Sequence, residues 1–64
     1  MKIIHVESQI VFNEVIGKTY LFEDDTSVTI DINSNEVTDM DGMPTVPTHK
    51  VESIEKYIGR KIHC

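Results

Sequence analysis

Alternating apolar and polar positions predict β-structure in the first half of the chain. In residues 2–13 the apolar side chains of one face fall at even positions: Ile4, Val6, Ile10 and Phe12. Alternation with a period of two is typical of a strand with one apolar face. A second apolar stretch, residues 14–22, contains Gly17, and a glycine inside a strand often marks a bulge or a bend.

The clearest strand signal lies in residues 26–32, where Val28, Ile30 and Ile32 share one face. β-Branched residues fill this segment, as a pleated surface favours. The acidic segment 23–26 before it has the composition of a turn. We therefore expect residues 18–23 and 26–31 to pair as a hairpin. Its turn sequence Asp-Asp is weaker than Asp-Gly, so we expect a loop longer than two residues.

The second half of the chain ends in a helix. Turn-forming residues dominate segment 33–47, which predicts a long loop with at most a short strand around residues 36–38. Thr48 is the expected helix cap, and Gly59 occupies the position where a helix commonly ends. Between them one apolar stripe recurs at helical spacing, formed by Val51, Ile54 and Ile58.

These patterns predict one small α+β domain: a curved antiparallel sheet, or an SH3-like partial barrel by geometric analogy, with one C-terminal helix. We divide it into a β-rich part (1–32), a loop (33–47), a helix (48–59) and a tail (60–64). With 64 residues the core is small, and Cys64 is the only cysteine, which excludes an internal disulfide. Oligomerisation or binding to a partner is the expected reinforcement.

Charge is distributed unevenly along the chain, whose formal net charge is −5. Residues 1–49 carry two basic and nine acidic side chains, whereas residues 50–64 carry four basic and two acidic ones. Direct nucleic-acid binding is therefore not expected on the acidic part. No stretch reaches the ~20 apolar residues of a membrane span, and a lone cysteine fits a reducing compartment. We expect a soluble, cytoplasmic protein without a membrane partner.

The candidate chemical motifs are weak. Residues 31–35 imitate the start of an EF-hand loop, but Glu36 and Gly42 replace its required glycine and bidentate glutamate, which favours a polar turn. Asp39 and Asp41 lack a nearby His, Lys or Ser to complete a catalytic set. The soft metal ligands are scattered (His5, His49, His63 and Cys64). We expect no catalytic residue, no metal site and no cofactor, and hence no enzyme.

The leading hypothesis is a non-enzymatic interaction protein. It would regulate or inhibit a larger protein or nucleoprotein by occluding a basic surface, through complementary charge. Short chains of this kind also fit regulators or inhibitors of compact viral genomes. Methionine adapts to irregular contact surfaces, which adds Met43 to the acidic candidates. The expected partner-binding residues are Glu23, Asp24, Asp25, Asp39, Asp41 and Met43.

Two alternatives stay open at this point. One is a structural homo-oligomer, such as a homodimer, that packs through edge strands and the helix, with Val51, Ile54 and Ile58 near the seam. The other is a metal-binding or small-ligand module that uses Asp39, Asp41 and a histidine.

Overall fold

The protein is a small α+β fold, as expected, with an open four-stranded antiparallel sheet followed by one helix. The computed structural model describes residues 2–63, so the expectations for Cys64 lie outside the described residues. The strands are neighbours in chain order: β1 (Ile3–Val11), β2 (Glu14–Phe22), β3 (Ser27–Asp31) and β4 (Val37–Asp41). The helix α1 spans Thr48–Ile58 and covers one face of the sheet.

A two-residue turn joins β1 to β2 and overturns the placement of Phe12. Phe12 and Asn13 both have positive φ angles, 50° and 64°, as a type I′ hairpin loop requires. The turn carries the Phe12 ring away from the apolar face, and the residue is 98% exposed. The alternation pattern placed Phe12 on the core face because it contains no information about where the chain reverses.

Two irregularities in the β1–β2 ladder shift side chains relative to simple alternation. The register slips between Ile3 and His5. As a result Ile3 packs against the core, whereas Ile4, which the pattern assigned to the apolar face, is 53% exposed. A second slip opposite Gln9 and Ile10 lies beside Gly17, so the bulge or bend expected from this glycine is confirmed.

Gly17 is required by close backbone contact, because a Cβ atom there would lie 2.8 Å from the carbonyl oxygen of Ile30. Gly17→Ala should therefore lower the free energy of unfolding by about 1–3 kcal/mol, since strand backbone must move to relieve the clash. Chemical denaturation measures this loss. Ser27→Ala is a control on the same sheet, and we expect it to change stability by less than about 0.5 kcal/mol. Equal stability of Gly17→Ala and the parent would contradict the packing described.

The core lies between the sheet and α1. Its buried apolar residues are Tyr20, Phe22, Val28, Ile30, Ile54 and Ile62. Ile54 supplies the centre of the helical contribution, and Val51 and Ile58 pack against the same cluster. The rings of Tyr20 and Tyr57 meet edge to face, with centroids 5.8 Å apart. The apolar stripe of α1 is therefore docked on the chain's own sheet.

Segment 33–47 is not simply a loop, because it contains β4. A register slip opposite Thr29 and Ile30 interrupts the alternation of this polar strand, which explains why the sequence pattern indicated only a short strand. The chain end then returns to β4: the Val37 N–H donates to the His63 carbonyl, and the His63 N–H donates to the Asn35 carbonyl, both at 2.8 Å. The predicted tail is thus partly ordered.

The helix ends differ in how well the sequence specifies them. Pro47, not Thr48, occupies the N-cap position, and no side chain caps that end. Gly59 ends the helix as expected, with φ 75° and its N–H donated to the Glu55 carbonyl at 2.8 Å. A glycine in this left-handed conformation is a strong local signal, whereas several polar residues can precede a first turn.

Candidate interaction surface on the open face of the sheet

The sheet face opposite α1 is polar and accessible, and we call it the open face. Because residues directly opposite one another in a sheet share a face, the strand registers define its rows. One row crosses all four strands and consists of Glu7, Thr19, Thr29 and Asp39. The flanking rows are His5, Leu21, Ser27 and Asp41 on one side, and Gln9, Gly17 and Asp31 on the other.

Side-chain hydrogen bonds tie the middle of this face together. Gln9 Nε2 donates to Thr19 Oγ1 at 2.7 Å, and the Thr19 and Thr29 hydroxyls are 2.8 Å apart. These bonds join β1, β2 and β3 across the strands. The open face is therefore a braced polar platform, with side chains that can still accept or donate bonds to a partner.

The platform forms a shallow groove of about 550 Å³. Its lining includes three carboxylates, Asp31, Asp39 and Asp41, and no Lys, Arg or His among the described residues that line it. The remaining lining is small or polar, apart from Ile16 and Met40. Three carboxylates without a basic side chain in the same lining give this groove an acidic potential that favours cationic ligands.

Asp31 is held as an ionised group within that groove. Its Oδ1 accepts the backbone N–H groups of Ser34 at 2.9 Å and Asn33 at 2.8 Å. These bonds stabilise the carboxylate and lower the pKa of Asp31. The segment that imitates an EF-hand is therefore a polar turn closed by its own aspartate, as expected.

The positive charges lie elsewhere. Lys18 and Arg60 line a second, smaller cavity of about 260 Å³ between the sheet and the end of α1, and Asp31 lines this cavity as well. Lys56 and Lys61 lie near the same end of the helix. The acidic open face and the basic end of α1 thus meet at Asp31, which lines both cavities.

The β2–β3 turn, residues 23–26, contains a second charged feature, an ion pair with the helix. Lys50 is 4% exposed, and its Nζ lies 2.9 Å from Asp24 Oδ2 and also donates to Thr26 Oγ1. The same Nζ lies 5.3 Å from the centroid of the Phe22 ring. This pair joins α1 to the turn, so the Asp24 carboxylate is engaged within the protein.

The six residues expected to bind a partner are therefore not equivalent. Asp39 and Asp41 lie together on the open face, whereas Glu23, Asp24 and Asp25 belong to the β2–β3 turn. Asp41 is opposite Ser27, the first residue after that turn, so the two groups meet at one end of the sheet. Met43 is half-buried and packs against the core.

The residues of the two alternative hypotheses can also be located. The helical stripe of Val51, Ile54 and Ile58 is occupied by the chain's own sheet, and Ile54 has no exposed surface. Ile54 therefore offers no surface to a second copy in this fold. Within residues 2–63, no three His, Cys, Asp or Glu side chains come close enough together to hold a metal ion.

Sequence analysis did not identify the polar centre of the open face or the buried role of Lys50. The signal for the first was present only in part: Thr29 and Asp31 alternate with apolar residues, whereas Glu7 and Thr19 each have a polar neighbour. Lys50 precedes Ile54 by four residues, which places it on the apolar stripe of the helix. Its partner Asp24 lies 26 residues away, a pairing that local sequence does not encode.

Compared with protein-family models, with curated proteins and with solved structures, the chain matches none of them. Among residues 2–63, no helix combines the length and the apolar character needed to cross a membrane.

Proposed function

We propose that this chain is a non-enzymatic interaction protein that binds a basic surface of a larger protein with its open face and regulates or inhibits that protein by occlusion. One observation carries the proposal: the acidic groove lined by Asp31, Asp39 and Asp41, whose lining contains no Lys, Arg or His among the described residues. Glu7 extends the negative charge along the central row to β1.

The chemistry of the groove favours arginine and lysine side chains. Carboxylates accept paired hydrogen bonds from an arginine guanidinium, and the hydroxyl and amide groups of the platform add neutral bonds. A negatively charged phosphate backbone would meet repulsion here, which keeps direct nucleic-acid binding outside the proposal. The contact set we propose centres on Asp39 and Asp41, with the turn residues Glu23 and Asp25 at its margin.

We also propose a cytoplasmic location, a place among viral regulators and an SH3-like curvature of the sheet. The turn residue Asp24 and Met43 take a supporting part in the proposed contact, because their side chains are engaged inside the fold.

A labelled oligo-arginine peptide provides a direct test, with binding followed by fluorescence anisotropy. Asp39→Lys should weaken binding by about fivefold to tenfold, because it places a positive charge in the central row. Glu52→Lys is the matched control: Glu52 is an exposed helix residue, and the change in net charge is identical. Binding of the parent should weaken as salt rises.

The comparison separates a specific face from overall charge. Equal losses for Asp39→Lys and Glu52→Lys would show that net charge alone attracts the peptide, and would refute the proposed site. Glu23→Lys then tests whether the β2–β3 turn belongs to the contact. Circular dichroism of each variant checks that its fold is intact.

A further inference from the structure

The two edges of the sheet differ in how they are covered. The residues of the chain end, 62–63, bond to the start of β4 through Val37 and Asn35. Along β1 no strand of the described chain pairs with the outer edge, and this edge is nine residues long. β1 contains no proline and no lysine, two of the residues that protect an exposed edge from pairing with another chain.

Exposed apolar side chains concentrate along this same edge. Ile10 is 62% exposed, and Ile4, Val11 and Phe12 are also exposed. Phe12 occupies a left-handed position that Asn, Asp or Gly usually fills in a two-residue turn. An apolar residue retained at a strained, solvent-exposed position is a reason to look for a contact that covers it.

The hairpin geometry fixes which backbone groups face outwards. In a two-residue loop the flanking residues, Val11 and Glu14, form the closing hydrogen-bonded pair. Every second residue of β1 counted back from Val11 then bonds to β2. The residues between them, Ile10, Ser8 and Val6, direct their N–H and C=O groups away from the sheet.

We propose that the occupant of this edge is a second copy of the chain, paired antiparallel through β1 about a two-fold axis at Ser8. A residue of one β1 strand then faces the residue of the other β1 strand for which the two residue numbers add up to sixteen. Val6 lies opposite Ile10 of the partner subunit, so one such apolar pair forms on each side of the axis. The exposed Ile10 side chain of each edge is thereby covered by an apolar side chain of the other.

Two other symmetric registers are less favourable. An axis at Glu7 places the two Glu7 carboxylates directly opposite each other, which is destabilising. An axis at Val6 leaves Ile10 and Val11 beyond the paired region. In the register centred on Ser8, Glu7 faces the neutral Gln9 of the partner subunit, and Ile10 faces Val6 of the partner subunit.

The pairing extends the sheet to eight strands. Antiparallel strands related by a two-fold axis perpendicular to the sheet present the same face on the same side, so the two open faces form one continuous acidic surface. Both helices lie on the opposite side. The dimer does not depend on what the open face binds, and a monomeric chain would retain its own acidic groove.

Sedimentation measures the oligomeric state directly. At about 100 µM the parent chain should sediment at twice the chain mass of 7.3 kDa, and it should dissociate to the monomer on dilution. Ser8→Lys should be monomeric, because two ammonium groups face each other across the axis, next to Lys18 on the neighbouring strand. Thr38→Lys, on the β4 edge, is the matched control and should remain dimeric.

Cysteine cross-linking tests the register, in a Cys64→Ser background so that the introduced thiol is the only one. Ser8→Cys places the two thiols in a directly opposed pair with Cα atoms about 5.5 Å apart, which a disulfide can span. In Glu7→Cys the two positions are diagonal, about 7–8 Å apart, at or beyond the limit. Thr38→Cys reports random collisions.

Rapid disulfide formation in Ser8→Cys alone would support the proposal. A parent chain that is monomeric throughout the concentration range would overturn it. So would cross-linking of Ser8→Cys no faster than that of Thr38→Cys. If Glu7→Cys cross-links fastest, the register centred on Ser8 is wrong. Circular dichroism confirms that Ser8→Lys is folded before its mass is interpreted.

Discussion

Replacing Ile54 with alanine is expected to unfold a large fraction of the protein at 25 °C. Ile54 is fully buried and lies at the centre of the contact between α1 and the sheet. Truncating a buried isoleucine to alanine costs about 2–5 kcal/mol, whereas a domain of this length has a total stability of about 3–10 kcal/mol. The eleven-residue helix is too short to persist once its docking is weakened.

Two graded variants make this result interpretable. Ile54→Val removes a single methyl group and should cost about 0.5–1.5 kcal/mol. Ile16→Ala makes the same isoleucine-to-alanine change at an exposed strand position. It should change the free energy of unfolding by less than about 1 kcal/mol. Denaturant titration followed by far-ultraviolet circular dichroism measures all three. A parent-like midpoint for Ile54→Ala would contradict the docking of α1 on the sheet.

Breaking the Asp24–Lys50 pair should have unequal effects from its two ends. Asp24→Ala leaves the Lys50 ammonium buried without its carboxylate partner, and an unpaired buried charge is strongly destabilising. Lys50→Met instead replaces the ammonium with an apolar chain beside Phe22 and Met43, and its stability should stay within about 1 kcal/mol of the parent. The Tm of Asp24→Ala should therefore fall several times further than that of Lys50→Met.

The same pair predicts how stability depends on pH. Hydrogen bonds from the Thr26 hydroxyl and from Lys50 lower the pKa of Asp24 from 3.8 to about 2. Because the folded-state pKa lies below the unfolded value, this contribution is fully present above about pH 4 and is lost as the pH falls towards about 2. Thermal unfolding at a series of pH values measures it.

Asp24→Asn is the control for the acid response. It removes the titrating group but keeps the size of the side chain, so the stability difference from the parent should narrow as the pH falls below about 4. If the stability difference between Asp24→Asn and the parent is unchanged down to pH 2, the charge of the Asp24 carboxylate is not what stabilises the turn. Similar losses for Asp24→Ala and Lys50→Met would contradict the buried position of Lys50.

The division of the sheet into two faces gives these variants a common interpretation. Ile54 and Lys50 lie on the core side of the sheet, where α1 packs. Substituting either residue should therefore change the free energy of unfolding. Asp39 and Asp41 lie on the opposite, accessible side of the sheet. Substituting either residue should therefore change the affinity for the oligo-arginine peptide. A loss of peptide binding in Asp39→Lys at unchanged stability would therefore separate the proposed contact from the fold.

Local signals in the sequence were sufficient for much of the fold. Alternation predicted β3 and its pairing with β2, because Val28 and Ile30 can both be buried only on one face. The helix and its end at Gly59 followed from the apolar stripe and from a residue suited to positive φ. In each case the information lies within a few neighbouring residues.

Other features depend on where the chain reverses or slips. The turn at Phe12 and Asn13 and the slip beside Ile4 changed which apolar side chains are buried. β4 was only partly indicated, since its alternation is interrupted opposite Thr29 and Ile30. A single inserted residue moves every later side chain to the other face, so these positions are set by the pairing partner.

The candidate site divides in the same way. The sequence by itself determined that the first part of the chain is strongly acidic and that Asp39 and Asp41 are near each other. Only the tertiary structure decided that Asp31 lines one groove with them and that Asp24 forms an ion pair with Lys50. The physical reason is that charge and periodicity are properties of neighbouring residues, whereas a surface is made by strands that meet through long-range pairing.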